Sequence, residues 1–224
     1  MDYYKKRAAE LIFLKKSRNV WRLKDNYKDD DIYIIGSGPS LDYVSKQFFY
    51  NKNTIGINDA YKYFNCDYSL SVHKETIQKQ IKDGQRVIAS FRDRQIGEMI
   101  KDVGQDNYVF NHRKYYNYDK LFLDDLDKEN YLIPGRSSVI PAIHAAYVMG
   151  AKNIILCGID CGTLDGSKNV KNYNEGKSDY SNDFFNLVSG QIKELAMEIR
   201  KRGVSVMSLN PFINFGLEGH IYSR

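Results

Sequence analysis

No run of apolar residues in this 224-residue chain approaches the ~20 that a membrane-spanning helix requires. The opening stretch, MDYYKKRAAELIF, lacks the apolar core and small-residue cleavage site of a secretory leader, which sets a cytoplasmic expectation. Cysteine is scarce and odd in number. Cys66, Cys157 and Cys161 show no zinc-like pairing, so free thiols in a reducing compartment are expected. There are no internal repeats and no evident linker, which argues for one domain. No Lys-Ser or Lys-Thr pair follows the first glycine turn, so that turn is not a Walker A loop.

What is present is globular: 42% hydrophobic and 27% charged residues, enough chain for one good α/β core. The net charge is +5 and tyrosine is abundant at 18. Lysine and arginine are spread along the chain rather than gathered on one element, apart from the N-terminus. That describes a surface favouring anionic ligands, not a specific nucleic-acid track.

Residues 31–41, DIYIIGSGPSL, organise the rest. Ile32, Tyr33, Ile34 and Ile35 form a short apolar run that reads as a buried parallel strand. Gly36, Ser37, Gly38, Pro39 and Ser40 follow at once, and Leu41, Val44 and Phe48 predict an amphipathic helix. That order leaves backbone N–H groups and a positive helix end at a strand's carboxyl terminus, where a phosphate is stabilised. The glycines allow positive φ and close approach, and Pro39 suits a first helical position. Leu41 stands where the dinucleotide fingerprint has its third glycine.

Residues 1–30 carry a basic amphipathic helix over 3–24, with Ala8, Leu11 and Ile12 opposite Lys5, Lys6, Arg7, Lys16 and Arg18. Trp21 favours packing on its own domain over peripheral membrane contact. Residues 31–224 then read as one Rossmann-like α/β domain. It has a mostly parallel sheet, helices on both faces and an irregular lid insertion. Further strands are expected at 54–57, 67–72, 86–90, 108–110, 153–160 and 204–209. Helices are expected over 74–83, from Arg136 to Gly150, and through Phe185, Val188, Ile192, Leu195 and Ile199. Residues 111–131 and 162–180 read as lid-like loops, and 211–224 as a tail.

Ligands in such sheets bind beyond the carboxyl ends of the strands. Those ends carry Gly36, Ser37 and Gly38, then Asn58 and Asp59, His73, Asp160 and Asn210. Arg136, Ser137 and Ser138 add a second helix entrance suited to phosphate. Each residue has a structural alternative: Asn58 and Asp59 as caps of a helix near Ala60, Ser137 as an N-cap, Arg136 as a surface ion pair. His144, inside an apolar helix, reads as a satisfied core histidine, and His112 and His220 as surface residues. Jointly, the alignment of these groups at one sheet edge describes a nucleotide site.

The stretches IIGSGPSL and RSSVIPAIHAAYVMGAKNIILCGID together resemble bacterial sialyltransferases that use CMP-sialic acid. The pattern also resembles the wider group named for archaeal hydroxymethylpterin pyrophosphokinases (MptE-like), which includes the Maf proteins of flagellin glycosylation. The likeness covers roughly residues 31–72 and 134–162 with the last helix and strand. It implies that Gly36, Ser37, Gly38 and Ser40 hold phosphate and ribose, and that Asn58 matches a cytidine-site asparagine. Ser137 and Ser138 match a threonine-serine pair near the donor, and Asp160 matches the aspartate ending the central strand. Ser37 replaces the asparagine of the sialyltransferase turn. Those enzymes carry a catalytic histidine in the loop after the Gly-Ile-Asp strand. Residues 161–200 here contain none, and Tyr173 and Tyr180 occupy that loop.

The leading expectation is a nucleotide-dependent transferase: a glycosyltransferase taking a CMP-linked sialic-acid-like or related nucleotide sugar, needing no cofactor. Its general base is His73 or Asp160, with Asp165 a further candidate. The partners are then a nucleotide-sugar donor and a small-molecule or glycan acceptor, and a homo-oligomer is compatible. One alternative is Mg²⁺-dependent diphosphate transfer from ATP to a hydroxymethyl compound, with Asp59, Asp160 and Asp165 as oxygen ligands. The other is a non-catalytic nucleotide-binding module.

Overall fold

The computed structural model describes residues 18–90, 107–110, 118–162, 167–171, 173 and 181–210. These form one α/β Rossmann-like domain around an eight-stranded parallel sheet. The strands are β1 (Arg18–Asn19), β2 (Asp31–Ile35), β3 (Asn53–Ile57), β4 (Tyr68–Ser71), β5 (Val87–Ser90), β6 (Tyr108–Phe110), β7 (Asn153–Cys157) and β8 (Ser205–Ser208). They lie in the order β1-β6-β5-β4-β3-β2-β7-β8, every pair parallel. The chain runs outward from β2 through β6, then returns to place β7 on β2's other side. The loops after β2 and β7 therefore diverge at a topological switch point, where this fold opens a crevice.

Two cores form because successive side chains of a strand point to opposite faces. Ile32 and Ile34 join Ile154 and Leu156 in the larger core, while Tyr33 and Ile35 join Ile155 and Cys157 in the smaller. The larger core is closed by α2 (Val139–Val148) and α3 (Asn182–Arg200). Helix α2 is buried nearly all round, as its sequence predicts. Helix α1 (Lys74–Lys82) lies between β4 and β5 in the chain.

One expected helix is absent. After β2 the chain makes short 3-10 turns, Pro39–Tyr43 and Lys46–Phe49. Phe49 with Phe64 fills the smaller core there, an edge-on pair at 5.3 Å. Ser45 caps the second turn, its Oγ accepting from the Gln47 N–H (3.3 Å), and so splits the stretch in two. The described end of the N-terminal helix is likewise not helical. Arg18–Asn19 pairs with β6, and Asn19 then caps the 3-10 turn Val20–Leu23, accepting from the Trp21 N–H. Residues 1–17, 111–117 of the first lid-like loop, most of the second, Asp165, His112, His220, Tyr180 and the tail lie outside the described residues. Among the described residues, no helix is long and apolar enough to cross a membrane.

Candidate active site

A cavity of about 380 Å³ opens at the carboxyl ends of β2, β3, β4 and β7. The turn after β2 contributes Gly36, Ser37 and Gly38, and the next two strand ends contribute Asn58 and His73. The entrance of α2 supplies Arg136, Ser137 and Ser138 across from them, so both expected phosphate-binding entrances face one open space.

The β2 turn differs in detail from a ring of free amides. The Gly36 N–H donates to the Cys157 carbonyl (2.8 Å) and the Gly38 N–H to the Gly158 carbonyl (2.7 Å). Ser40 donates its N–H to Asp160 Oδ2 (2.7 Å) and its hydroxyl to Asp160 Oδ1 (2.6 Å). Asn210 Nδ2 adds a third bond to Oδ1 at 2.8 Å. Three turn amides are thus occupied within the fold, and Asp160, itself buried, ties the ends of β2, β7 and β8 together. Pro39 is buried, and neither it nor Ser40 lines the cavity. Gly38 is needed for proximity rather than for positive φ: its φ is −69°, and an added Cβ would lie 2.5 Å from Asp160 Oδ2. Positive φ falls instead on Gly158 (61°), which packs against Leu41.

Asn58 adopts the left-handed region (φ 53°), which asparagine tolerates. Its Oδ1 accepts from the Ser71 hydroxyl (3.0 Å), and its carbonyl from Gln80 Nε2 (2.7 Å), leaving Nδ2 for a ligand. Asp59 does not line the cavity. It is buried and ion-paired with Lys62 at 2.9 Å. His73 precedes α1, its N–H donating to Ser71 Oγ (3.1 Å), and its imidazole is exposed at the cavity wall.

At the second entrance, Ser137 Oγ accepts from the Val139 N–H (3.4 Å). Ser138 stands at the N-cap position in helical conformation and makes no side-chain cap bond. Arg136 Nε meets Asp119 Oδ1 at 3.2 Å. Gln191, on α3, is the residue sequence reasoning missed here. It shares a face with Val188, Ile192 and Leu195, and it is buried. Its Oε1 accepts from the Arg136 N–H (3.0 Å), and its Nε2 donates to the Tyr118 carbonyl (2.6 Å).

Part of the expected 162–180 lid is a strap fixed to the first turn. Val170 N–H donates to the Ser37 carbonyl (2.8 Å), Ser37 Oγ to Asn169 Oδ1 (3.2 Å), and Lys171 N–H to Asp42 Oδ1 (3.0 Å). Val170 is buried, and the Tyr173 ring lies 5.4 Å from Tyr63. The strap brings Lys168, Asn169 and Tyr173 into the cavity wall. The run KNVKN carried that signal in its apolar anchor between two Lys-Asn pairs.

His144 and the three cysteines are structural. His144 is fully buried, with Nδ1 accepting from the Ile133 N–H (2.8 Å) and Nε2 donating to the Leu126 carbonyl (2.7 Å). Burial pushes its pKa down to about 4, so it is the satisfied core histidine expected. Burial pushes the thiols of Cys66 and Cys161 up to about 12 and that of Cys157 well above its usual value, so none is an activated nucleophile. Of the carboxylates considered for Mg²⁺, Asp59 is not in the cavity lining, Asp160 lines it but already accepts three hydrogen bonds from Ser40 and Asn210, and Asp165 lies outside the described residues. Among the described residues no three His, Cys, Asp or Glu side chains cluster as a metal site.

The cavity therefore joins cationic groups, Arg136 and Lys168, to an exposed imidazole and the amides of Asn58 and Asn169. Ile57, Val139, Phe184 and Val188 form its apolar side. An anionic group, an aromatic or sugar ring and a proton to be moved all find matching partners there.

No family model and no curated protein matches this chain in sequence. Solved structures do match in shape. The Maf glycosyltransferase of Magnetospirillum magneticum AMB-1 aligns over 88% of this chain with a TM-score of 0.54 at 14% identity. This chain spans only 36% of that protein's length. The Campylobacter jejuni sialyltransferase CstII with the substrate analogue CMP-3FNeuAc aligns over 84% of each chain, TM-score 0.48, 14% identity. CstII with cytidine-5'-monophosphate aligns over 86% of this chain and 85% of its own, TM-score 0.49, 15% identity. The first match shows a shared Rossmann-like fold.

Proposed function

We propose that this protein is a nucleotide-dependent glycosyltransferase whose donor is a nucleotide sugar, with a CMP-linked sialic-acid-like sugar the leading class. One observation carries the reading: the β2 turn and the α2 entrance, with Arg136, Ser137 and Ser138, face each other across one open cavity at the switch point. The fold likeness to a glycosyltransferase supports it, as does the resemblance of IIGSGPSL and the Gly-Ile-Asp strand.

In this reading Arg136 and Lys168 hold the donor phosphate as its charge grows, and Asn58 Nδ2 contacts the base or ribose. The acceptor oxygen forms a bond to the anomeric carbon while the bond from that carbon to the phosphate oxygen breaks. The leaving phosphate keeps the electron pair. His73 takes the acceptor's proton, since Asp160 already accepts three hydrogen bonds.

Thermal-shift titration with CMP, CDP, UDP, GDP and ATP, each with and without Mg²⁺, tests the assignment. A ligand at a hundred times its Kd adds about 2.7 kcal/mol of stability. Stabilisation by CMP, loss of that shift in Asn58→Ala, and release of CMP from a CMP-sugar that His73→Gln slows about 10²–10⁴-fold are expected. Stabilisation confined to Mg-ATP points to diphosphate transfer instead. Binding with no turnover across a donor panel leaves a nucleotide-binding module, and no binding at all defeats the reading.

A further inference from the structure

Two kinds of tie join the segment at Tyr118–Asp119 to the one at Gly135–Arg136. The first is rigid. Gln191, 2% exposed, grips the Tyr118 carbonyl with one end of its amide and the Arg136 N–H with the other. Gly135 lets the strand of chain pass close: an added Cβ would meet Gln191 Oε1 at 2.9 Å and Ile140 Cγ1 at 2.5 Å. The second tie is loose. The Arg136–Asp119 ion pair uses Nε, and its side chains are 47% and 46% exposed. Exposed pairs of this kind contribute little and exchange readily. Tyr118 and Arg136 both line the cavity.

We infer that Asp119 is the resting counter-ion of Arg136 and sets how strongly that guanidinium binds a phosphate. This deepens the reading of the cavity as a phosphate site and rests on it. A phosphate offers a stronger, bidentate partner than one half-exposed carboxylate. It displaces Asp119 and gives up only the small worth of that exposed pair. Because Gln191 holds both backbones, the exchange is a side-chain rotation and not an opening of the loop. Asp119 thereby tempers the affinity of the site without touching the ligand.

Calorimetric titration of inorganic pyrophosphate and of acetate into the full chain tests this, using wild type, Asp119→Asn, Arg136→Gln and the double variant. Matched urea midpoints serve as the folding control, since Asp119 is on the surface. Asp119→Asn is expected to bind pyrophosphate about two- to fivefold more tightly, the worth of an exposed pair. Arg136→Gln should bind about tenfold or more weakly. In the Arg136→Gln background the Asp119 substitution should change nothing, and in Asp119→Asn acetate should gain by a factor similar to that of pyrophosphate, since both displace the same pair. An unchanged or weaker affinity in Asp119→Asn overturns the inference. So does an equal gain in both backgrounds, which is diffuse charge, or no pyrophosphate binding by wild type. Pyrophosphate binding that follows this pattern while every nucleotide fails to bind defeats the glycosyltransferase reading and leaves the exchange standing. Nucleotide binding untouched by Asp119→Asn does the reverse.

Discussion

His144 illustrates how far a residue's chemistry is set by its surroundings. Its ring bridges the Ile133 N–H and the Leu126 carbonyl inside the larger core, and burial lowers its pKa to about 4. Asp127 and the Leu126 carbonyl pull the other way and are outweighed. The folded value lies below the ordinary 6.5, so the unfolded chain binds the proton more readily. This contribution to stability is complete above about pH 6.5 and is lost as pH falls toward 4. Between pH 7 and pH 5 it amounts to about 2 kcal/mol. Urea unfolding at both pH values should show wild type losing about 2 kcal/mol more than His144→Gln. Equal losses would mean that the ring takes up a proton without leaving its place.

The elements around the crevice are joined at their tips, and Asp160 is the joint. Its carboxylate accepts from both donors of Ser40, at the end of β2, and from Asn210, beyond β8. In Asp160→Asn an amide NH₂ must face either the Ser40 N–H or the paired hydroxyl and amide of Ser40 and Asn210. One donor is left facing another, at a cost of about 1–3 kcal/mol. The expected result is a lowered urea midpoint with any loss of turnover tracking the loss of ligand binding. A 10²–10⁴-fold fall in turnover at unchanged stability and affinity would instead make Asp160 the base. The strap at 167–171 belongs to the same scale. Three hydrogen bonds fasten it to the β2 turn, so the wall containing Lys168 and Asn169 is built with the turn.

For the whole molecule, a single sheet with a core on each face predicts one cooperative transition. Trp21 reports on the far edge, beside β1, where its indole Nε1–H reaches the Tyr131 carbonyl at 3.4 Å. Its fluorescence and the far-ultraviolet circular dichroism should change together in urea. A fluorescence change at lower urea would mark the β1 edge as a separate, weaker unit.

Periodicity and turn chemistry in the sequence determined the parallel α/β sheet, nearly every strand within one or two residues, the buried helix before Gly150 and the gathering of polar residues at one edge. Those features depend on spacing along the chain, as do Ile32–Ile35 or Asn153–Cys157, which read the same in any context. Tertiary structure alone decided which donors remained for a ligand. The amides of Gly36, Gly38 and Ser40 meet partners more than a hundred residues away. Gln191 gains its role from Tyr118 and Arg136, and Asp119 gains its role from Arg136. Hydrogen bonds between distant segments leave no periodic trace, and the Leu41–Phe48 helix gave way to 3-10 turns because packing of Phe49 on Phe64 outweighed a weak local preference.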